Sequence, residues 1–173
     1  MPLLGIFAQR AKHRPNPIGV TSVRLESDAV LFTEAELFDQ LVVTFGGLAA
    51  EDLVLGAPST GAEQDVEHAT QLARELVGRY GMSERIGRVR LLAADADEYL
   101  GTSAGLASIS ERTHELFDDE VRRILDAAET RAKELVGANR AVLDRLAATL
   151  LDREMLEGAA LAERLAPVRR AEA

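Results

Sequence analysis

From Thr33 to Leu165 the apolar residues recur at helical spacing, and that periodicity confines the chain to a mainly α fold. Thr33-Glu34-Ala35-Glu36 reads as a capping box, in which hydroxyl and carboxylate each satisfy an orphan N–H of the first turn. Behind it Ala35, Phe38, Leu41, Val42, Phe45, Leu48, Ala49 and Leu53 line one face of a helix, which Gly56-Ala57-Pro58 ends. Gly46-Gly47 lies inside that helix, where each glycine costs about 1 kcal/mol relative to alanine. Such a pair signals a kink or the close passage of another backbone.

Ser59-Thr60-Gly61-Ala62-Glu63 begins a second helix, with Thr60 and Glu63 as its box. Val66, Ala69, Leu72, Ala73, Leu76, Val77 and Tyr80 form its apolar stripe, and Gly81 stops it. Residues 82–107 read as irregular, with a strand over Gly87–Ala93 and a loop over Asp95–Leu106. Ser108-Ile109-Ser110-Glu111 opens the longest helix, which Gly137 closes after Val136. Its core face carries Phe117, Val121, Ile124, Leu125, Ala128, Ala132, Leu135 and Val136. Asn139 caps another, lined by Val142, Leu143, Leu146, Ala147, Leu150 and Leu151, and a short helical piece covers Gly158–Leu165.

Ahead of Thr33 the signal is weaker. Leu3–Phe7 and Ile18–Leu25 read as two short strands, separated by Pro15 and Pro17, which break regular structure. The expected organisation is a single mainly α domain. Residues 1–32 form a small β or irregular segment, 33–166 the helical body, and 167–173 a frayed tail.

Composition narrows the chemistry. The 173 residues contain no Cys, which removes disulfides, thiolate zinc sites, iron–sulfur clusters and cysteine nucleophiles, and only three His. The net charge of −9 is uneven: residues 1–24 carry four bases and no acid, leaving −13 on the remainder. An acidic body repels nucleic-acid phosphates, and the short basic run Arg10–Lys12–His13–Arg14 has no helix or aromatic platform beside it. No apolar run approaches the ~18–20 residues of a spanning helix, and Met1–Ala8 is too short for a secretory signal. The expectation is a soluble, cytoplasmic chain that binds no nucleic acid. Neither a phosphate-binding loop ending in Gly-Lys-Ser/Thr nor a Gly-x-Ser-x-Gly turn occurs.

Three side chains merit weighing for chemistry. Asp65 shares a helix face with Ala69, Leu72 and Leu76, where a carboxylate must be paired, hydrogen-bonded, hydrated at the domain edge or bound to a metal. An acid favoured by the positive end of its helix is the ordinary reading. His68, three residues on, can meet Asp65 in a local hydrogen bond, or share a metal with it. His114-Glu115-Leu116-Phe117-Asp118 has the spacing of a zinc-protease His-Glu-x-x-His with Asp in the second ligand place. An i,i+4 contact between His114 and Asp118 on a solvated face outweighs that reading.

A family resemblance changes the weight on Asp65. Phe45-Gly46-Gly47-Leu48-Ala49-Ala50-Glu51-Asp52-Leu53-Val54-Leu55-Gly56 resembles the glycine-pair, Ala-Ala-Glu helix of the FtsH-type ATP-dependent zinc metalloproteases. Ser59-Thr60-Gly61-Ala62-Glu63-Gln64-Asp65 is similar to that family's Thr-Thr-Gly-Ala-x-x-Asp signature, and Ala69-Thr70 and Tyr80-Gly81-Met82-Ser83 continue in register. The likeness reaches back through Leu31-Phe32-Thr33 to Ile18-Gly19-Val20-Thr21. It runs forward through Tyr99-Leu100-Gly101 and Glu120-Val121-Arg122-Arg123-Ile124 to Leu156-Glu157-Gly158.

What the resemblance implies is a mostly helical protease domain. Members hydrolyse unfolded or damaged proteins fed by an attached ATPase ring, and work as six-membered assemblies. In the family two histidines of His-Glu-x-x-His and a downstream aspartate hold zinc, and the glutamate is the general base. Asp65 matches the aspartate ligand. The chain departs from the pattern in having no His-Glu-x-x-His, in His13 lacking a following glutamate, and in Leu48 standing where the family often has arginine. It is expected to start just downstream of the catalytic helix, without the ATPase module or a membrane anchor. No catalytic residue is therefore assigned, and zinc is not expected to be bound by this chain alone. Two readings follow: part of a metalloprotease domain, inactive by itself, or a non-catalytic helical module that oligomerises and binds partner proteins. The expected partners are protein substrates or like subunits, with a homo-oligomer implied by the family. Apolar surface is expected to lie open on the Phe38–Phe45 face or on the Asp65 helix.

Overall fold

The computed structural model describes residues 5–10, 19–24, 31–57, 59–92 and 109–169. They fall into two compact units, Phe32–Glu134 and a second made of Met1–Leu31 with Leu135–Ala173. The fold is mainly α, as the periodicity implies.

The unit Phe32–Glu134 begins with helix α1, Glu34–Thr44. The expected capping box is present: Thr33 N–H donates to Glu36 Oε2 at 2.8 Å and Glu36 N–H donates to Thr33 Oγ1 at 3.3 Å. These bonds from Thr33, the backbone one foremost, hold the Glu36 carboxyl below its ordinary pKa. Phe45 separates α1 from α2, Gly46–Leu55, yet the i→i−4 ladder passes through it, with Phe45 N–H on Leu41 O and Ala49 N–H on Phe45 O. The glycine pair thus marks a slight break in a near-continuous helix. The core edge is shifted from the expected stripe: Leu37 is buried, Phe38 half-buried and Ala35 exposed. Phe38 instead lines an open groove of about 460 Å³ with Leu76, Ile124 and Ala127.

A 3₁₀ turn over Thr60–Ala62 leads into α3, Glu63–Gly78. The cap here differs from expectation. Ser59, not Thr60, accepts from Gly61 N–H at 3.2 Å, because one tight turn intervenes before the α-helix and moves the cap back by one residue. Ala69, Leu72, Ala73, Leu76 and Val77 are buried as expected, while Tyr80 lies outside the stripe, its hydroxyl donating to Glu75 Oε2 at 3.3 Å. The chain then reverses at Gly81, whose φ of 64° suits glycine and whose Cα faces the Arg88 backbone too closely for a Cβ.

Of the expected strand over Gly87–Ala93, the described part, 87–92, keeps only a single β bridge at Leu92. Both Leu91 and Leu92 N–H groups converge on one carbonyl, Gly78 O, at 2.7 and 3.0 Å, so the segment is pinned to a helix end. The expected loop over Asp95–Leu106 lies outside the described residues. Helix α4, Glu111–Ala138, buries Phe117, Val121, Ile124, Ala128 and Ala132. It continues through Gly137, which does not act as a stop.

In the second unit, β1 (Gly5–Arg10) and β2 (Gly19–Arg24) pair antiparallel, with Gly5 opposite Arg24 and Arg10 opposite Gly19. The expected two-strand element is present. Helices α5, Arg140–Arg153, and α6, Gly158–Leu165, flank the short strand β3, Met155–Leu156. β3 adds to the free edge of β1, with Ala8 opposite Leu156, giving the order β2-β1-β3. Asn139 precedes α5 without a side-chain cap bond. Its amide holds the C-terminal segment, with Nδ2 donating to Arg169 O at 3.1 Å and Oδ1 accepting from Arg169 N–H at 2.7 Å. Of the expected tail, Arg169 is thus tied to Asn139, and 170–173 lie outside the described residues.

Candidate functional site

Asp65 stands in the first turn of α3 with Glu63, where the unsatisfied N–H groups and helix dipole favour negative charge. The side chain is exposed and makes no hydrogen bond or ion pair with the described residues. It lies over α2: a Cβ built on Gly47 would be 3.8 Å from Asp65 Oδ2. The expected inward lean is correct in direction, since the carboxylate faces a neighbouring helix, but nothing described covers it. Among the described residues, what approaches the glycine pair is thus a carboxylate, not a backbone, and Gly46 has nothing within 4 Å of its Cβ position.

The turn between the two helices is fastened by α2. Ser59 N–H donates to Glu51 Oε2 at 2.6 Å, a short charge-assisted bond. Glu51 lies one turn after Gly47, so both residues occupy one face of α2. Neither spacing nor hydrophobic pattern singles out Glu51 or Ser59; only their place inside the two quoted motifs does.

The other candidates are not drawn together. His68 is exposed and not hydrogen-bonded to Asp65, which corrects the expected local contact: both side chains are exposed. His114 does not meet Asp118. Arg74 takes that carboxylate at 4.0 Å while its guanidinium stacks over the Phe117 ring, 5.0 Å from the centroid. His13 lies outside the described residues. Among the described residues no three His, Cys, Asp or Glu side chains are grouped to hold a metal. Tetrahedral zinc with an open position needs three protein ligands, so these residues do not by themselves fit a zinc centre.

Apolar surface is open on the same unit. Val43 and Leu55 are 71% and 70% exposed, and Val54 and Val66 are also uncovered. Among the described residues no helix is long and apolar enough to cross a membrane.

The model of Peptidase family M41 matches residues 13–163. The chain belongs to peptidase family M41. It is 42% identical over 158 residues to an ATP-dependent zinc metalloprotease FtsH of Cutibacterium acnes, covering 91% of this chain and 22% of that protein. It is 44% identical over 132 residues to the protein of that name from Mycobacterium leprae, covering 76% and 17%. A third, from Syntrophus aciditrophicus, is 44% identical over 147 residues, covering 83% and 20%. This M41 chain therefore spans about a fifth of the length of the curated relatives it matches. The FtsH-type resemblance read from the glycine pair and the Thr-Gly-Ala-x-x-Asp segment is correct, and those relatives are named zinc enzymes.

Proposed function

We propose that this chain is the portion of an M41 peptidase domain that presents the aspartate ligand for zinc, Asp65, and that it is not a competent protease by itself. The observation that supports this most directly is the exposed Asp65 carboxylate, which has no partner among the described residues and lies beside Gly47, the two sitting in the two motifs of the family likeness. A carboxylate that no described residue engages is available as a hard oxygen donor. The sequence of 173 residues has no His-Glu-x-x-His to supply two imidazoles and a general base. When bound by a complete ligand set, zinc in this family supplies Lewis acidity and an activated water. The part assigned to this chain is the placement of one oxygen ligand.

Zinc-supplemented chain incubated with unfolded casein is the direct assay, and no chelator-sensitive cleavage is the expected result. Joining the chain behind a helix that carries His-Glu-x-x-His should produce such cleavage, and Asp65→Ala should abolish it. Metal-dependent cleavage by the chain alone, or cleavage by the joined polypeptide that ignores Asp65→Ala, overturns the reading.

On the same reading, substrates are unfolded proteins, the working form is a homo-oligomer of like subunits, and the compartment is cytoplasmic. Exposed Val43 and Leu55 support self-association, because isolated apolar side chains of that size gain by burial between subunits. Light scattering should show a species larger than 18.7 kDa. A sharp monomer at high concentration counts against the oligomer.

A further inference from the structure

We propose that the groove between α1 and α4, within the Phe32–Glu134 unit, docks a basic segment of an unfolded polypeptide, one with large apolar side chains between lysines or arginines. Two adjoining hollows of about 460 and 500 Å³ make up the groove and share Phe38 and Ala127 as their floor. Buried Leu76 and Ile124 back the first hollow, so an apolar side chain laid over Phe38 exchanges water for a continuous apolar surface. Helical periodicity assigns Phe38 to the core, yet it is left partly uncovered here, where an aromatic ring can still gain by burial.

Charge decides which partner fits. Four acids and two bases line the two hollows. Both bases are already engaged: Arg123 gives two bonds of 2.9 Å to buried Glu120, and Arg131 donates to Glu134 at 2.9 Å. Asp39 from α1 and Asp126 from α4 are exposed at the second hollow and make no hydrogen bond or ion pair with the described residues. An uncompensated acid on each wall favours cationic side chains flanking the apolar one. It repels acidic segments, nucleic-acid phosphates and anionic lipid surfaces alike. Both hollows are open to solvent, which suits an extended chain rather than a small molecule, whose sites enclose most of its surface. None of these residues takes part in the ligand reading of Asp65, so the two stand or fall separately.

The test titrates the 173-residue chain with capped peptides of one length and follows the Phe38, Ile124 and Ala127 resonances by NMR. Lys-Lys-Leu-Phe-Lys-Lys should shift them, whereas Glu-Glu-Leu-Phe-Glu-Glu and Lys-Lys-Ser-Ser-Lys-Lys should not. Binding should weaken as salt rises. Asp39→Asn combined with Asp126→Asn should weaken binding of the first peptide by about fivefold, at roughly two- to threefold per exposed charge. Both positions are exposed, so the circular dichroism of that variant should match the native chain. Ala127→Arg, which sets a cation on the floor, should abolish binding. Docking is overturned if the first peptide shifts none of these resonances, if either control peptide shifts them equally, or if the paired Asn variant binds as tightly as the native chain. Shifts of the same residues that grow with chain concentration in the absence of peptide assign the groove to a second copy, and overturn it as well.

Discussion

The Ser83 hydroxyl donates a 2.9 Å hydrogen bond to Glu120 Oε1, joining residues 37 apart in sequence within one unit. Glu120 is fully buried, on the apolar face of α4 between Phe117 and Ile124. Arg123 closes on it with two bonds of 2.9 Å and Arg85 approaches at 3.4 Å. Ser83 Oγ also accepts from Ile86 N–H at 3.3 Å, so the cluster fastens the turn after α3 onto α4. A charge in this place is tolerable only because every lone pair has a donor.

Removing the carboxylate should therefore be costly. Glu120→Ala is expected to destabilise by about 3 kcal/mol, since it leaves a hydroxyl and two guanidinium groups around a void. Ser83→Ala is expected to cost about 1.5–3 kcal/mol, the loss of one bond to a charged group. Urea unfolding followed by circular dichroism measures both. A Glu120→Ala midpoint equal to that of the native chain contradicts the role given to the cluster.

The same carboxylate predicts an acid-sensitive component of stability. Arg123 above all, with Ser83 and Arg85, lowers the Glu120 pKa from its ordinary 4.5 against the opposing effect of burial. A depressed folded-state pKa means that the unfolded chain binds the proton more readily. The stabilisation is complete above the unfolded value and is lost as pH falls through the folded one. Glu120→Gln should flatten the decline in stability between about pH 6 and pH 3 relative to the native chain. Parallel pH profiles for the two proteins are the contrary result.

Two glycines should respond to alanine in opposite directions. At Gly78 a Cβ would lie 2.8 Å from both Leu92 Cγ and Phe117 Cε2, so Gly78→Ala is expected to destabilise by about 1–3 kcal/mol. At Gly137 nothing among the described residues lies within 4 Å and the backbone is still helical, one residue before α4 ends at Ala138, so Gly137→Ala is expected to stabilise by about 0.5 kcal/mol. Thermal melts of the pair decide the matter. A destabilising Gly137→Ala would contradict a helical backbone with open space at Gly137.

Asn139 should govern the C-terminal segment. Its side chain makes both bonds to the Arg169 backbone and a third to Leu135 O at 2.9 Å. Asn139→Ala is expected to speed exchange of the Arg169 amide by about tenfold, the equivalent of roughly 1.4 kcal/mol, with α4 unaffected. Unchanged Arg169 exchange would sink this assignment.

Much of the architecture was legible because helix formation is local. The box at Thr33 and Glu36, the buried Phe117–Ala132 stripe and the last helix over Gly158–Leu165 each depend on neighbours three or four residues away. Asp65 was likewise visible, through the glycine pair and the Thr-Gly-Ala-x-x-Asp segment rather than through periodicity. The sequence by itself therefore determined the helical class, most element boundaries and the acid worth testing.

What it did not contain was the partner of each buried or anchoring polar group. Periodicity places Glu120 on an apolar face without saying that Ser83 and Arg85 come to meet it. Nor does it tell that Glu51 takes the Ser59 amide, or that β3 pairs with a strand nearly 150 residues earlier. Tertiary structure decided these because a desolvated charge or a bare strand edge is satisfied by whichever atoms folding brings within hydrogen-bond reach. Those atoms lie too far along the chain for local spacing to record them.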